Sequence, residues 1–80
     1  MKLRYRVEVF EDPEEPGVWL ARVPSVDGVF SDGDSREEAL ANVQEALEGM
    51  LEAMRQWGEP IPPSDFEEFV ELEFPEPHAA

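Results

Sequence analysis

The chain has no cysteine, a single histidine, and only six lysines and arginines against 20 aspartates and glutamates. Each shortage removes a class of function. Without cysteine there is no disulfide framework and no thiolate metal site. That absence does not assign a compartment. Histidine is the usual general base of a hydrolase, and His78 sits in the terminal run Pro75 to Ala80, where a solvated tail residue is the plainer reading. No apolar run approaches the roughly 20 residues of a membrane span. The opening MKLRYRVEVF alternates polar and apolar residues and has no signal-peptide apolar core. A cytoplasmic protein without a membrane partner is therefore expected. There is no P-loop and no dinucleotide fingerprint. Gly28 and Gly33 are too far apart, and the acidic Asp32 between them would repel a phosphate. No cofactor is expected.

What is present in excess is negative charge, −14 over 80 residues. Nucleic acid is excluded as a direct partner by phosphate repulsion. A basic protein is a better match, although acidic surface also serves solubility alone. The few cations are uneven: Lys2, Arg4 and Arg6 crowd the start, while no lysine or arginine follows Trp57. A chain this short makes one domain, expected over residues 1–75 with a flexible tail at 76–80. It buries roughly 60–65% of its surface, so partners or self-association would add to its stability.

The central stretch Val23 to Met54 organises the rest. Ser35 sits at an N-cap position with Glu38 three residues on, the spacing of a capping box. Leu40, Val43, Leu47, Met50, Leu51 and Met54 then recur as one helical stripe. The two methionines resemble an adaptable binding face, but core packing is the plainer role on that stripe. The helix is expected from about Arg36 to Trp57, with Gly58 as its C′ residue and Pro60 preventing continuation. Gly49 inside it costs about 1 kcal/mol relative to alanine, which a close helix–sheet approach would offset.

Before the helix, Lys2 to Phe10 reads as a strand with Leu3, Tyr5, Val7 and Val9 on one face. Glu11 to Gly17 is a turn; its carboxylates lack the spacing of a calcium loop. Val18 to Val23 is a second strand, with Trp19, Ala21 and Val23 opposite Val18, Leu20 and Arg22. Pro24 closes it, and Gly28 permits the turn that follows. A third short strand starts at Val29 and ends at Gly33. After the stiff Gly58–Ser64 connection, a fourth strand is expected near Glu68 to Phe74, where Val70, Leu72 and Phe74 alternate with Glu71 and Glu73.

The order β-β-β-α-β makes an α+β two-layer sandwich. Short loops favour an antiparallel meander. A right-handed crossover then sets the fourth strand parallel beside the first, giving sheet order 3-2-1-4. One helix covers one sheet face and leaves the other open. Phe10, Val18, Leu20, Arg22 and Phe69 fall on that open face, and they are the candidate interface of a homo-oligomer, a dimer or higher. Burying each large apolar group there contributes roughly 1.5–3 kcal/mol. Within a monomer, arginine stems covering the apolar groups would be the alternative.

No catalytic residues emerge. Two-metal nucleases need several carboxylates converging on metals about 3.5–4 Å apart. Glu8 stands alone in the first strand and points away from the helix side. Asp27, Asp32 and Asp34 cluster at one turn, where turn chemistry explains them. No metal site is expected.

The pieces Tyr5-Arg6-Val7, Trp19 to Pro24, Asp27 to Ser35, Arg36-Glu37-Glu38-Ala39-Leu40 with Asn42, and Gly58 to Pro62, in that order and spacing, resemble the HicB-like antitoxin family. The resemblance implies a partial RNase H-like sheet carrying one helix. It implies a noncatalytic protein that neutralises HicA, a small basic ribonuclease attacking messenger RNA. Many members add a C-terminal helix-turn-helix or ribbon-helix-helix region for DNA. Here only Pro75 to Ala80 follow Phe74, so DNA binding is not expected. The other reading is a solitary, self-assembling domain of the same family, with a structural or ligand-binding role and no toxin. Which acidic residues would face a toxin is unknown from the sequence; Glu37, Glu38, Glu45, Glu48 and Glu52 also fit a solvated helix face.

Overall fold

The computed structural model describes residues 2–64 together with Glu73 and Pro75. Three strands precede one helix: β1 (Glu8–Glu11), β2 (Trp19–Arg22), β3 (Phe30–Gly33) and α1 (Arg36–Trp57). They form an antiparallel meander of order β1-β2-β3, so the expected α+β class and the first three positions of the sheet hold. The expected fourth strand at Glu68 to Phe74 lies outside the described residues.

α1 has the expected ends because both are set locally. Ser35 Oγ accepts from the Glu38 amide at 3.1 Å. At the other end Gly58 takes φ 72°, a left-handed value that favours glycine. Its N–H donates to the Arg55 carbonyl, and the Glu59 N–H donates to that of Met54. These two bonds make a Schellman motif and satisfy carbonyls the helix leaves free. Glu37 and Glu38 in the first turn and Arg55 in the last complement the helix dipole.

The strands differ from expectation at their ends. Ladder pairing begins at Glu8 rather than Lys2 and runs on to Glu11. The cause is the partner. β2 pairs with β1 only over Trp19–Arg22, and Pro24, which the same register would set opposite Arg6, has no N–H to donate to the ladder. Residues 2–7 are therefore not part of this ladder. Their alternation still holds, since Tyr5 and Val7 pack on the core while Arg4 and Arg6 are exposed. The Tyr5 hydroxyl donates to the Pro62 carbonyl, and the Arg4 amide donates to Ser64 Oγ at 3.0 Å. The chain leaving the helix thus returns alongside the N-terminal arm.

The core lies between sheet and helix and consists of Ala21, Val23, Val26, Val29, Ala39 and Val43, with Val9, Trp19, Leu47, Met50 and Met54 packed around it. Met50 and Met54 thus serve packing, as their place on the stripe implies. The layers approach closely at Gly33. A Cβ there would stand 2.6 Å from the Ala39 amide nitrogen and 2.9 Å from the Glu38 carbonyl carbon. Asn42 Nδ2 ties the same corner by donating to the Asp32 carbonyl at 2.9 Å. The expected close approach at Gly49 is absent. That residue is exposed, and nothing lies within 4 Å of the position its Cβ would take. Gly49 follows Glu48 on the outer side of the helix, so its conformational cost has no packing return.

Candidate interaction surfaces

In a strand, alternate residues point to opposite faces. Ala21 and Val9 point to the helix. Glu8 and Phe10 of β1, Leu20 and Arg22 of β2, and Phe30 and Asp32 of β3 therefore share the other face. The register sets them in two rows, Glu8–Arg22–Phe30 and Phe10–Leu20–Asp32. Phe10 is 42% exposed and Phe30 72%.

Of the residues expected on this face, the structure brings together Phe10, Leu20 and Arg22. Leu20 is half-buried and stands opposite Phe10. Val18, also half-buried, lies just before β2, where its carbonyl accepts from the Asp12 amide at 2.8 Å. Phe69 lies outside the described residues. Sequence reasoning missed Phe30, the most exposed large apolar side chain among the described residues. The available signal was alternation from Val29, which is buried.

Charge on this face is organised around Glu8. Arg22 Nε donates to Glu8 Oε1 at 2.6 Å, and Arg6 Nη1 to Glu8 Oε2 at 3.3 Å. The Arg22 hydrogen bond, chiefly, holds the Glu8 carboxyl below its ordinary value. Partial desolvation opposes it, and the charges of Arg22 and Arg6 add to it. A depressed carboxylate contributes stability above its unfolded pKa and loses it as pH falls through the folded one. Glu8→Gln is accordingly expected to lower stability at neutral pH, with the deficit closing in the acid range. Urea melts across that range check this; a deficit independent of pH would mean the ion pair is not its source.

The outer side of α1 is the acidic surface. Glu37, Glu38, Glu45, Glu48 and Glu52 are exposed along it. Arg55 clamps Glu52 through Nε at 3.0 Å and Nη2 at 2.5 Å. That bond lowers the Glu52 pKa and raises that of Arg55. Between the N-terminal arm and α1 runs a groove lined by Leu3, Tyr5, Val7, Leu40, Leu47 and Leu51. Its lining is mainly apolar, with Arg4, Gln44 and Glu48 also along it. Among the described residues, no group of three or more His, Asp or Glu side chains is arranged to hold a metal ion, and no helix is long and apolar enough to cross a membrane.

Residues 5–76 match the model of the HicB-like antitoxins of bacterial toxin–antitoxin systems. UPF0150 protein Ta0767 of Thermoplasma acidophilum is 33% identical over 68 residues, covering 85% of this chain and 96% of that protein. UPF0150 protein ssr1765 of Synechocystis is 34% identical over 61 residues, covering 76% of this chain and 77% of its own length. No solved structure matches the chain. The family match spans both surfaces, the capped helix and the Asp27–Ser35 turn between them, and the chain belongs to the HicB-like antitoxin family.

Proposed function

We propose that this protein is a noncatalytic antitoxin that acts in the cytoplasm by binding a small, basic, HicA-type mRNA-cleaving toxin and masking its cationic surface. The observation that carries the reading is the family match over residues 5–76. A net charge of −14 supports it, because a cationic RNA-binding surface is attracted to an acidic one. The exposed glutamates of α1 offer such a surface, whereas the sheet face carries Arg22 and Arg6 beside its carboxylate.

The finer architecture belongs to the same proposal. One domain spans residues 1–75 before a short tail at 76–80. The fourth strand lies parallel beside the first, completing a partial RNase H-like sheet of order 3-2-1-4. Two observations support that order. Asp12 donates to Val18 across the β1–β2 hairpin, so by the antiparallel alternation Val9 and Glu11 turn their backbone groups to the outer edge of β1. Pro62 and Ser64 are bonded to the arm that leads into that edge.

The test is reconstitution with a purified HicA-type toxin, a small basic RNA-cleaving protein. Adding the chain should stop RNA cleavage by that protein, and the chain alone should leave RNA intact with magnesium or manganese. Association should slow as salt rises, because screening shortens the field to about 8 Å at physiological ionic strength. Continued cleavage in the presence of excess chain, or cleavage by the chain itself, would sink the proposal. A flat salt response would remove electrostatic steering from it.

A further inference from the structure

We propose that the toxin docks on the flank of α1 beside β3, and that this flank takes one amphipathic, cationic helix of that protein. The inference rests on the antitoxin reading and assigns the contact to particular residues of this chain. It starts from Gly49, which is exposed within α1 and has nothing within 4 Å of the place its Cβ would take. Glycine is a poor helix former, and packing within this chain gives nothing in return. Asn42, Ala46, Gly49, Ala53 and Trp57 follow one another at spacings of four, three, four and four residues, which sets them in one row along the helix. Asn42 fixes which flank this is, because its side chain donates to the Asp32 carbonyl of β3. The groove with Leu40, Leu47 and Leu51 runs along the opposite flank, beside the N-terminal arm. At the far end of the row stands Trp57, 69% exposed.

Charge identifies the occupant. Glu38, Glu45 and Glu52 recur every seven residues and border the row on its outer side, all three exposed. Where two helices pack, such bordering positions pair with those of the partner and decide which partner is accepted. A helix with lysines or arginines at its own borders meets carboxylates along the whole row. A second copy of this chain brings a net charge of −14 and the same glutamates, and is repelled. Arg55 already holds Glu52, so Glu38 and Glu45 carry most of the attraction. A strand fits less well than a helix, because β3 beside the row already gives the Asp32 carbonyl to Asn42.

The shape agrees with the charge. From Asn42 to Trp57 the row is about 22 Å long at 1.5 Å per residue, enough for a docked helix of about four turns. In its middle, Gly49 and the half-buried Ala46 and Ala53 let the second axis come to the short end of the usual separation of about 8–10 Å. Trp57 then closes over one end of the docked helix. Its ring face attracts a cation, and exposed aromatic anchors of this kind carry a large share of binding energy. Gly49 thus gains from the partner the close approach that it lacks within this chain.

Titrating the RNA cleavage of a purified HicA-type toxin with the full chain and its variants tests this, alongside a thermal melt of each variant. Gly49→Gln puts a better helix former at an exposed position, so its Tm should rise. Its long side chain should at the same time raise the Kd for the toxin about tenfold or more. A role confined to folding would not raise stability and cost affinity together. Trp57→Ala should weaken binding by about the same factor with circular dichroism unchanged, since the ring is 69% exposed. Glu45→Lys should weaken binding more than Glu14→Lys, which makes the same change of net charge in the exposed β1–β2 loop. Inhibition as tight with Gly49→Gln and Trp57→Ala as with the parent overturns the docking flank and leaves the antitoxin reading standing. Equal losses from Glu45→Lys and Glu14→Lys overturn the glutamate border as the selecting feature. No inhibition by the parent chain removes both proposals.

Discussion

Gly33→Ala is expected to lower stability by about 1–3 kcal/mol, the usual cost of forcing extra volume into a packed site. The added carbon would sit 2.6 Å from the Ala39 nitrogen and 2.9 Å from the Glu38 carbonyl carbon. Both are backbone atoms of the first turn of α1, so no side chain can swing aside. Relief requires the helix start to move off β3. That motion would strain the Ser35 cap and the Asn42 bond to the Asp32 carbonyl, which hold the same corner. For a domain of this size each kcal/mol shifts Tm by roughly 4–8 °C. A thermal melt should therefore show a fall of several degrees at least. An unchanged Tm would show that the helix start is loosely seated.

A larger effect is expected at Val43, which is 1% exposed in the middle of the helix–sheet contact. Val43→Ala removes two methyl groups and should cost about 2 kcal/mol, between the small and large truncations of a core side chain. Val43→Asp places a carboxylate where no buried cation waits, since no buried charged residue is present among the described residues. An unpaired buried charge costs several kcal/mol, against a total stability of about 5–15 kcal/mol for native proteins. The aspartate variant should fail to fold at neutral pH, and the alanine variant should melt cooperatively at lower temperature. Circular dichroism separates the two. A cooperative aspartate variant melting near the parent would mean that water reaches this position from the groove beside it.

What sequence reasoning reached depends on how local each signal is. The helix was legible to its last residue, because Ser35, Glu38 and Gly58 act within one turn of it. The β-β-β-α order was legible too. The strand ends were not, because pairing is decided by the partner: Lys2 to Val7 alternate like a strand, yet β2 does not extend to meet them. Gly49 was misread because its position around the helix, one residue from Met50 on the stripe, was not converted into a direction; it faces solvent. Of the open face, Phe10, Leu20 and Arg22 followed from alternation alone. Phe30 did not, because the start of β3 was set one residue early and its faces were left unassigned. The antitoxin role left no local signal and came from family membership; only the net charge of the whole chain pointed to a basic partner.

The Asn42 side chain has a consequence beyond anchoring the helix. Val23 donates to Val29, and the ladder alternates from that pair, so Phe30 and Asp32 turn their backbone groups away from β2. Asn42 occupies one of the outward carbonyls, that of Asp32. The margin it guards is only four residues long and carries an aspartate. Short, charged, partly capped margins are how sheets avoid recruiting stray strands and growing into aggregates. Growth of this sheet is thereby biased: the β3 side offers a newcomer fewer groups to pair with, and an extra strand from this chain or another finds its better opening beside β1.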